Sequence, residues 1–191
     1  IAAQSNSYGG YFISLHSNGA NNSANYVISE YCGTRSSNST EKVSGSKKFA
    51  YTAAVQHDKN RLTDVTYSTP RAINDYAFNG WNLGVLRTNT QVGYLVESWF
   101  HDYRPETLRM KGDAYNRYLA WQLARAYMEY PKGNASGIKG CVVGDIRNTS
   151  KGCGYSKYTH RNRDSYLAVN GAKVELINSS GTVVQTMTTD N

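Results

Sequence analysis

Apolar and polar positions along this chain fall into two textures. Over residues 1–132 uncharged apolar runs alternate with helical patterns; beyond that come short segments separated by polar turns. The first run, Tyr11-Phe12-Ile13-Ser14-Leu15, predicts a strand buried on both faces, and it stops at His16 before a polar, glycine-containing turn. Residues 26–31 predict a second, β-branched and aromatic strand. Phe49, Ala50, Ala53 and Ala54 are spaced for one face of a helix that Ser46 would cap. Residues 61–81 read as irregular, with a short helix through Ala72, Ile73, Tyr76 and Ala77. Residues 83–87 read as a brief extended segment, and Val92-Gly93-Tyr94-Leu95-Val96 as another buried strand that ends at Glu97. A short helix over 104–110 precedes a longer one, capped by Asp113 and striped with Tyr115, Leu119, Leu123, Ala126, Tyr127 and Tyr130 until Pro131 and Gly133 stop it. Residues 1–10 carry no pattern.

The pattern predicts an α/β domain over residues 1–132 and a linker at 133–137. Residues 138–191 follow as the start of an all-β, sandwich-like module. Residues 138–143 are strand-like, 172–177 alternate inward and outward, Ser179-Ser180-Gly181 turns, and 182–186 return. Residues 151–163 read as a long polar insertion in a loop, with His160 solvated among charges.

Composition narrows the classes. The 191 residues are 39% hydrophobic and 12% aromatic, enough for a packed core. No run is long enough to span a membrane as a helix. A formal charge of +7 suits an anionic surface, nucleic acid or an acidic polymer such as cell wall. The cations are dispersed (Lys47, Lys48, Arg104, Arg109, Lys111, Arg161, Arg163) and no nucleic-acid motif occurs, which argues against nucleic acid. The chain opens at Ile1, without Met or signal peptide, and both ends read as cut. Three cysteines exclude a fully paired framework, and no Cys-x-x-Cys pair offers a structural zinc site. Cys141 and Cys153 can pair if the chain is exported, or remain thiols; Cys32 reads as core.

Candidate chemistry sits at the strand ends. Working groups in open α/β sheets lie just past the carboxyl ends of strands. His16 can ligate a metal through a ring nitrogen, and Glu97 can take and return protons or ligate. A hydrolytic zinc site needs three protein ligands and an open position for water. His57 falls on or near an apolar helical face and reads as a packed or edge histidine, not a ligand; His101 reads as a surface histidine, with substrate contact as the alternative.

The words around these two residues resemble one family. Phe12-Ile13-Ser14-Leu15-His16-Ser17-Asn18 is similar to the metal-binding strand of the zinc-dependent N-acetylmuramoyl-L-alanine amidases. Leu83-Gly84-Val85-Leu86-Arg87, then Tyr94-Leu95-Val96-Glu97 and Phe100, is similar to that family's closing motif. The resemblance covers residues 11–130. It implies a three-layer α/β/α domain with a mixed sheet, here N-terminally truncated, with Zn2+ as cofactor, His16 as one ligand and Glu97 as catalytic acid/base. The implied reaction is hydrolysis of the amide between muramic acid and L-alanine in peptidoglycan, and the implied location is outside the cell membrane. The family's other two ligands, a His and a Glu, lie upstream of the matched block, so this chain by itself is expected to be inactive. Ser98-Trp99 departs from the family's small residue before the aromatic, and His101-Asp102 stands where the family has Ser-Asn. The C-terminal segment resembles a carboxypeptidase-regulatory-type β-sandwich. Two alternatives are a non-catalytic wall- or surface-binding protein with a degenerate amidase domain, and a zinc peptidase that needs no sugar. Oligomeric state is not predicted.

Overall fold

A computed structural model describes residues 1–34, 40–61, 71–133, 146–152, 164 and 166–190. The expected strand at 138–143, the Cys141–Cys153 pairing, His160 and most of the linker lie outside these residues.

The core is a four-stranded mixed sheet. Its strands are β1 (Tyr11–Asn18), β2 (Ile28–Tyr31), β3 (Ala72–Asn74) and β4 (Val92–Phe100), in the order β1-β4-β2-β3. β1 runs parallel to β4, β4 antiparallel to β2, and β2 parallel to β3. The strand at 11–16 is therefore an edge strand, not one buried on both faces, and Leu15 is 62% exposed. The central strand is β4, where Tyr94 and Val96 are fully buried.

Helices cover both faces. On one, α2 (Ser46–Lys59) and α6 (Asp113–Lys132) pack their apolar stripes on the sheet: Phe49, Ala50, Ala53 and Ala126 meet Tyr31, Tyr94 and Val96. Phe49 stacks on Tyr130 and meets Tyr94 edge-on. On the other face Phe12, Cys32 and Leu95 pack against Leu86 of α4 (Gly84–Thr88). The remaining helices are α1 (Ala2–Tyr8), α3 (Asp75–Asn79) and α5 (Arg104–Met110). These elements form the α/β/α arrangement with a mixed sheet.

Several local expectations are corrected. Residues 83–87 are not extended; Gly84–Thr88 is a helix, and Arg87 N reaches Leu83 O. Residues 72–77 split into strand β3 and helix α3, because the Asn74 side chain caps the helix by accepting from Tyr76 N and Ala77 N. Residues 1–10 contain α1, which Asn6 and Ser5 tie to Thr88 and Gln91. Ser46 does not cap α2. Its hydroxyl instead accepts from Gly93 N, and the Glu41 carboxylate takes Gly45 N and Lys47 N. Asp113 likewise lies inside α6, whose Ala114 N donates to Asp190. Gly133 ends α6 in the left-handed region, its N–H on Glu129 O, with Pro131 inside the last turn.

Beyond the sheet, β5 (Arg147–Gly152) pairs with β6 (Tyr166–Ala168), and β7 (Lys173–Ile177) with β8 (Val183–Thr188). The second pair is the expected hairpin around Ser179-Ser180-Gly181. Asp164 fastens this half of the chain: its carboxylate, fully buried, accepts from Arg109 Nη2 (2.7 Å) and Tyr103 Oη (2.8 Å).

Candidate functional site

Two sheet neighbours bring the predicted residues together. β1 and β4 are parallel and in register, with His16 opposite Glu97. Adjacent strands lie about 4.8 Å apart and residues in register point to one face, so imidazole and carboxylate share a face at the carboxyl ends of their strands. That face is the one carrying Phe12, Leu95 and Leu86, by the alternation along each strand. Close approach of the strands depends on Gly93, where a Cβ would fall 2.5 Å from the Phe12 carbonyl oxygen.

The two residues are held differently. Glu97 lies on the central strand, flanked by His16 and by Ile28 of β2. Its Oε2 is buried with no hydrogen-bond partner. Burial pushes the Glu97 carboxyl up, while His16 and His101 pull the other way. His16 is exposed on the edge strand.

His101 joins the site. Its backbone N–H donates to Asn18 O (2.9 Å), and its Nδ1 shares a hydrogen bond with Ser17 Oγ (3.2 Å). The ring lies so close to Gly19 that a Cβ there would sit 2.7 Å from Nε2. Asp102 Oδ2 accepts from Ala20 N and Asn22 N. The His101-Asp102 pair therefore fastens the loop after His16 to the end of β4. His101 is exposed, as expected of a surface histidine, yet it is close enough to bias Glu97.

A second carboxyl on the same face carried no signal in the sequence. Glu30 is 2% exposed and sits opposite Leu95, two positions along from Ile28. Its Oε2 accepts from Asn79 Nδ2 (2.6 Å). Burial, opposed by that hydrogen bond and reinforced by Glu97 and Asp75, raises it from 4.5 to about 7. A lone Glu in a predicted strand reads as outward-facing; its burial and its bond from Asn79 of α3 show otherwise.

His57 is the packed histidine expected. It is 2% exposed on the opposite face, its Nδ1 2.6 Å from Gln122 Oε1. Gln122 Nε2 donates to Asn60 O, which fixes the amide orientation, so His57 Nδ1 carries the proton. Burial lowers it to about 4, so the ring is neutral. Cys32, buried in the core, is pushed up to about 11, chiefly by burial.

His16 has a ring free to ligate beside a carboxylate with an unsatisfied oxygen, which suits one metal ligand next to a base. Among the described residues, however, no three His, Cys, Asp or Glu side chains cluster to hold a metal ion.

Comparison with known proteins gives one kind of match. No protein-family model and no curated protein sequence matches the chain. Solved structures do. The N-acetylmuramoyl-L-alanine amidase of Clostridium difficile 630 is similar with a TM-score of 0.54 and 20% identity, over 68% of this chain and 62% of that one. The N-acetylmuramyl-L-alanine amidase of Mycobacterium smegmatis gives 0.56 and 18%, over 68% and 57%. The apo enzyme of Mycobacterium abscessus gives 0.57 and 18%, over 68% and 58%. The chain thus has the fold of these amidases and spans about three fifths of their length.

Proposed function

We propose that this chain is the part of a zinc-dependent N-acetylmuramoyl-L-alanine amidase that carries the acid/base and one metal ligand. One observation carries the reading: His16 and Glu97 face each other in register at the carboxyl ends of adjacent parallel strands. The amidase-like fold in which they do so supports it. On this reading the substrate is peptidoglycan, cleaved between muramic acid and L-alanine outside the cytoplasmic membrane. No helix among the described residues is long and apolar enough to cross a membrane.

Zinc, held by His16 with ligands from outside the described residues, would supply Lewis-acid polarisation and a more acidic water. The chain's own contribution is Glu97. Burial raises its proton affinity, which favours taking a proton from water before returning it to the leaving amine. The buried, unpartnered Oε2 is an acceptor already stripped of solvent. His101 and Asp102 keep the His16 loop against the end of β4, so ligand and base hold their spacing.

The test is release of new L-alanine amino termini from purified peptidoglycan by the zinc-loaded parent protein. Glu97→Gln is expected to lower the rate by about 10²–10⁴, and His16→Ala to lower bound zinc. Cleavage that survives Glu97→Gln overturns the proposal. Equal cleavage of a free peptide and its muramyl conjugate would instead mark a peptidase.

A further inference from the structure

The loop between α3 and α4 is fastened at Gly80, Asn82 and Leu83 and exposes a large apolar side chain between them. Asp75, fully buried, is the anchor. Its Oδ1 accepts from Gly33 N (3.1 Å), Tyr76 N (2.8 Å) and Asn82 Nδ2 (2.8 Å), and its Oδ2 accepts from Leu83 N (2.8 Å). Asn82 also donates to Gly33 O, and Asn79 donates to Glu30 and to Asp75 O. Gly80 makes the turn at φ 82°. Within this web Trp81 is 63% exposed and Phe78 37% exposed. Trp81 makes no ring or cation contact with the described residues. A chain that fixes a loop this closely, and leaves an indole in water at its tip, presents that ring for binding.

We propose that Trp81 is the stacking platform of a glycan subsite, its indole face taking the C–H face of an amino-sugar ring of peptidoglycan. Two arguments select a sugar. The first is area. An indole buries at most about 250 Å², far below the roughly 800 Å² per partner of a stable protein interface, but it matches one pyranose ring. The second is position. Asn79 holds Glu30, which lies on the same sheet face as His16 and Glu97, and Trp81 follows Asn79 by two residues, at most about 7 Å of chain. A glycan strand whose stem-peptide amide lies at Glu97 therefore runs toward this loop. The subsite rests on the amidase reading for the identity of its glycan, and a net charge of +7 favours the anionic polymer.

The experiment is binding, independent of metal and of turnover. The full chain and its Trp81→Ala variant are titrated with β-1,4-linked N-acetylglucosamine oligomers, following tryptophan fluorescence, and sedimented with glycan strands stripped of stem peptides. Trp99 and Trp121 are half-buried, and Trp121 stacks on Tyr118, so the exposed indole dominates a ligand-induced change. Trp81→Ala is expected to weaken glycan binding about tenfold or more, Trp81→Tyr to retain much of it, and both to keep the wild-type melting temperature. Equal binding by wild type and Trp81→Ala overturns the proposal. So does binding that requires intact stem peptides, or a dimer that Trp81→Ala dissolves. Glycan binding that depends on Trp81, without amide cleavage by the zinc-loaded parent, would sink the amidase reading and leave the subsite standing.

Discussion

Glu30→Gln should make the protein more stable at alkaline pH and change little at acid pH. Glu30 is buried, accepts one hydrogen bond, from Asn79, and faces two further carboxylates, Glu97 and Asp75. Its folded value, about 7, lies above the 4.5 of a free side chain, so the folded state holds the proton more tightly than the unfolded one. The contribution to stability is fully present below pH 4.5 and is lost as pH rises through 7. One unit is about 1.4 kcal/mol, so the shift is worth about 3 kcal/mol. Of this, roughly 2–3 kcal/mol disappears between pH 5 and 8. Glutamine keeps an acceptor for Asn79 and cannot ionise. Cys32, two residues along, stays protonated throughout this window. The assay is urea unfolding of both proteins at pH 5, 6, 7 and 8. Other titrating groups are common to both, so the difference between the two curves reports Glu30 together with its coupling to Glu97 and Asp75. The curves should start close together and diverge by about 2–3 kcal/mol in favour of the variant. Parallel curves, or a variant weaker at pH 8, would refute the argument.

Three further outcomes follow from the packing. His57 should stay neutral, with its proton on Nδ1, down to about pH 4, read from imidazole ¹⁵N shifts; its lowered value makes the fold lose stability as pH falls from 6.5 through 4. Gly93→Ala should destabilise by several kcal/mol, measured by thermal melting, because the new methyl meets the Phe12 backbone and cannot be relieved by a side-chain rotation. Asp164→Ala should cost about 3–5 kcal/mol in chemical unfolding, since it removes the 2.7 Å partner of the buried Arg109, whose contact to Glu106 is longer at 3.3 Å; an Arg109→Met, Asp164→Ala double variant should recover part of that loss.

The strongest elements were legible because their pattern is long or pure. The uncharged runs 11–15 and 92–96, the stripes of α2 and α6, and the 173–188 hairpin all appear near where the sequence put them. Short elements were not. The short segment 83–87, with three apolar side chains, fits strand and helix equally by periodicity; what starts the helix is contact at a distance in the fold, Leu83 N donating to Asp75 Oδ2. α1 carries no apolar stripe at all, and its position depends on Gln91, 86 residues away. β1 has the composition of a central strand, but among the described residues it pairs on one side only, with β4. At the site, His16 and Glu97 announced themselves by ending apolar runs. Glu30, Asp75 and Asn79 could not, because what makes them unusual is the partner each meets across 42 or more residues.

The placement of the two site residues on strands of different rank has a mechanical consequence. Glu97 is clamped by neighbours on both sides of β4, whereas β1 is hydrogen-bonded on one side only among the described residues. Local opening starts where a strand has a single partner. Amides of β1 should therefore exchange with solvent earlier than those of β4, and the imidazole should drift while the carboxylate holds still. In such a site the base is the fixed reference and the ligand the adjustable part. Whatever binds His16 then acts as a clasp on the sheet's edge, tightening the fold in the act of completing the site.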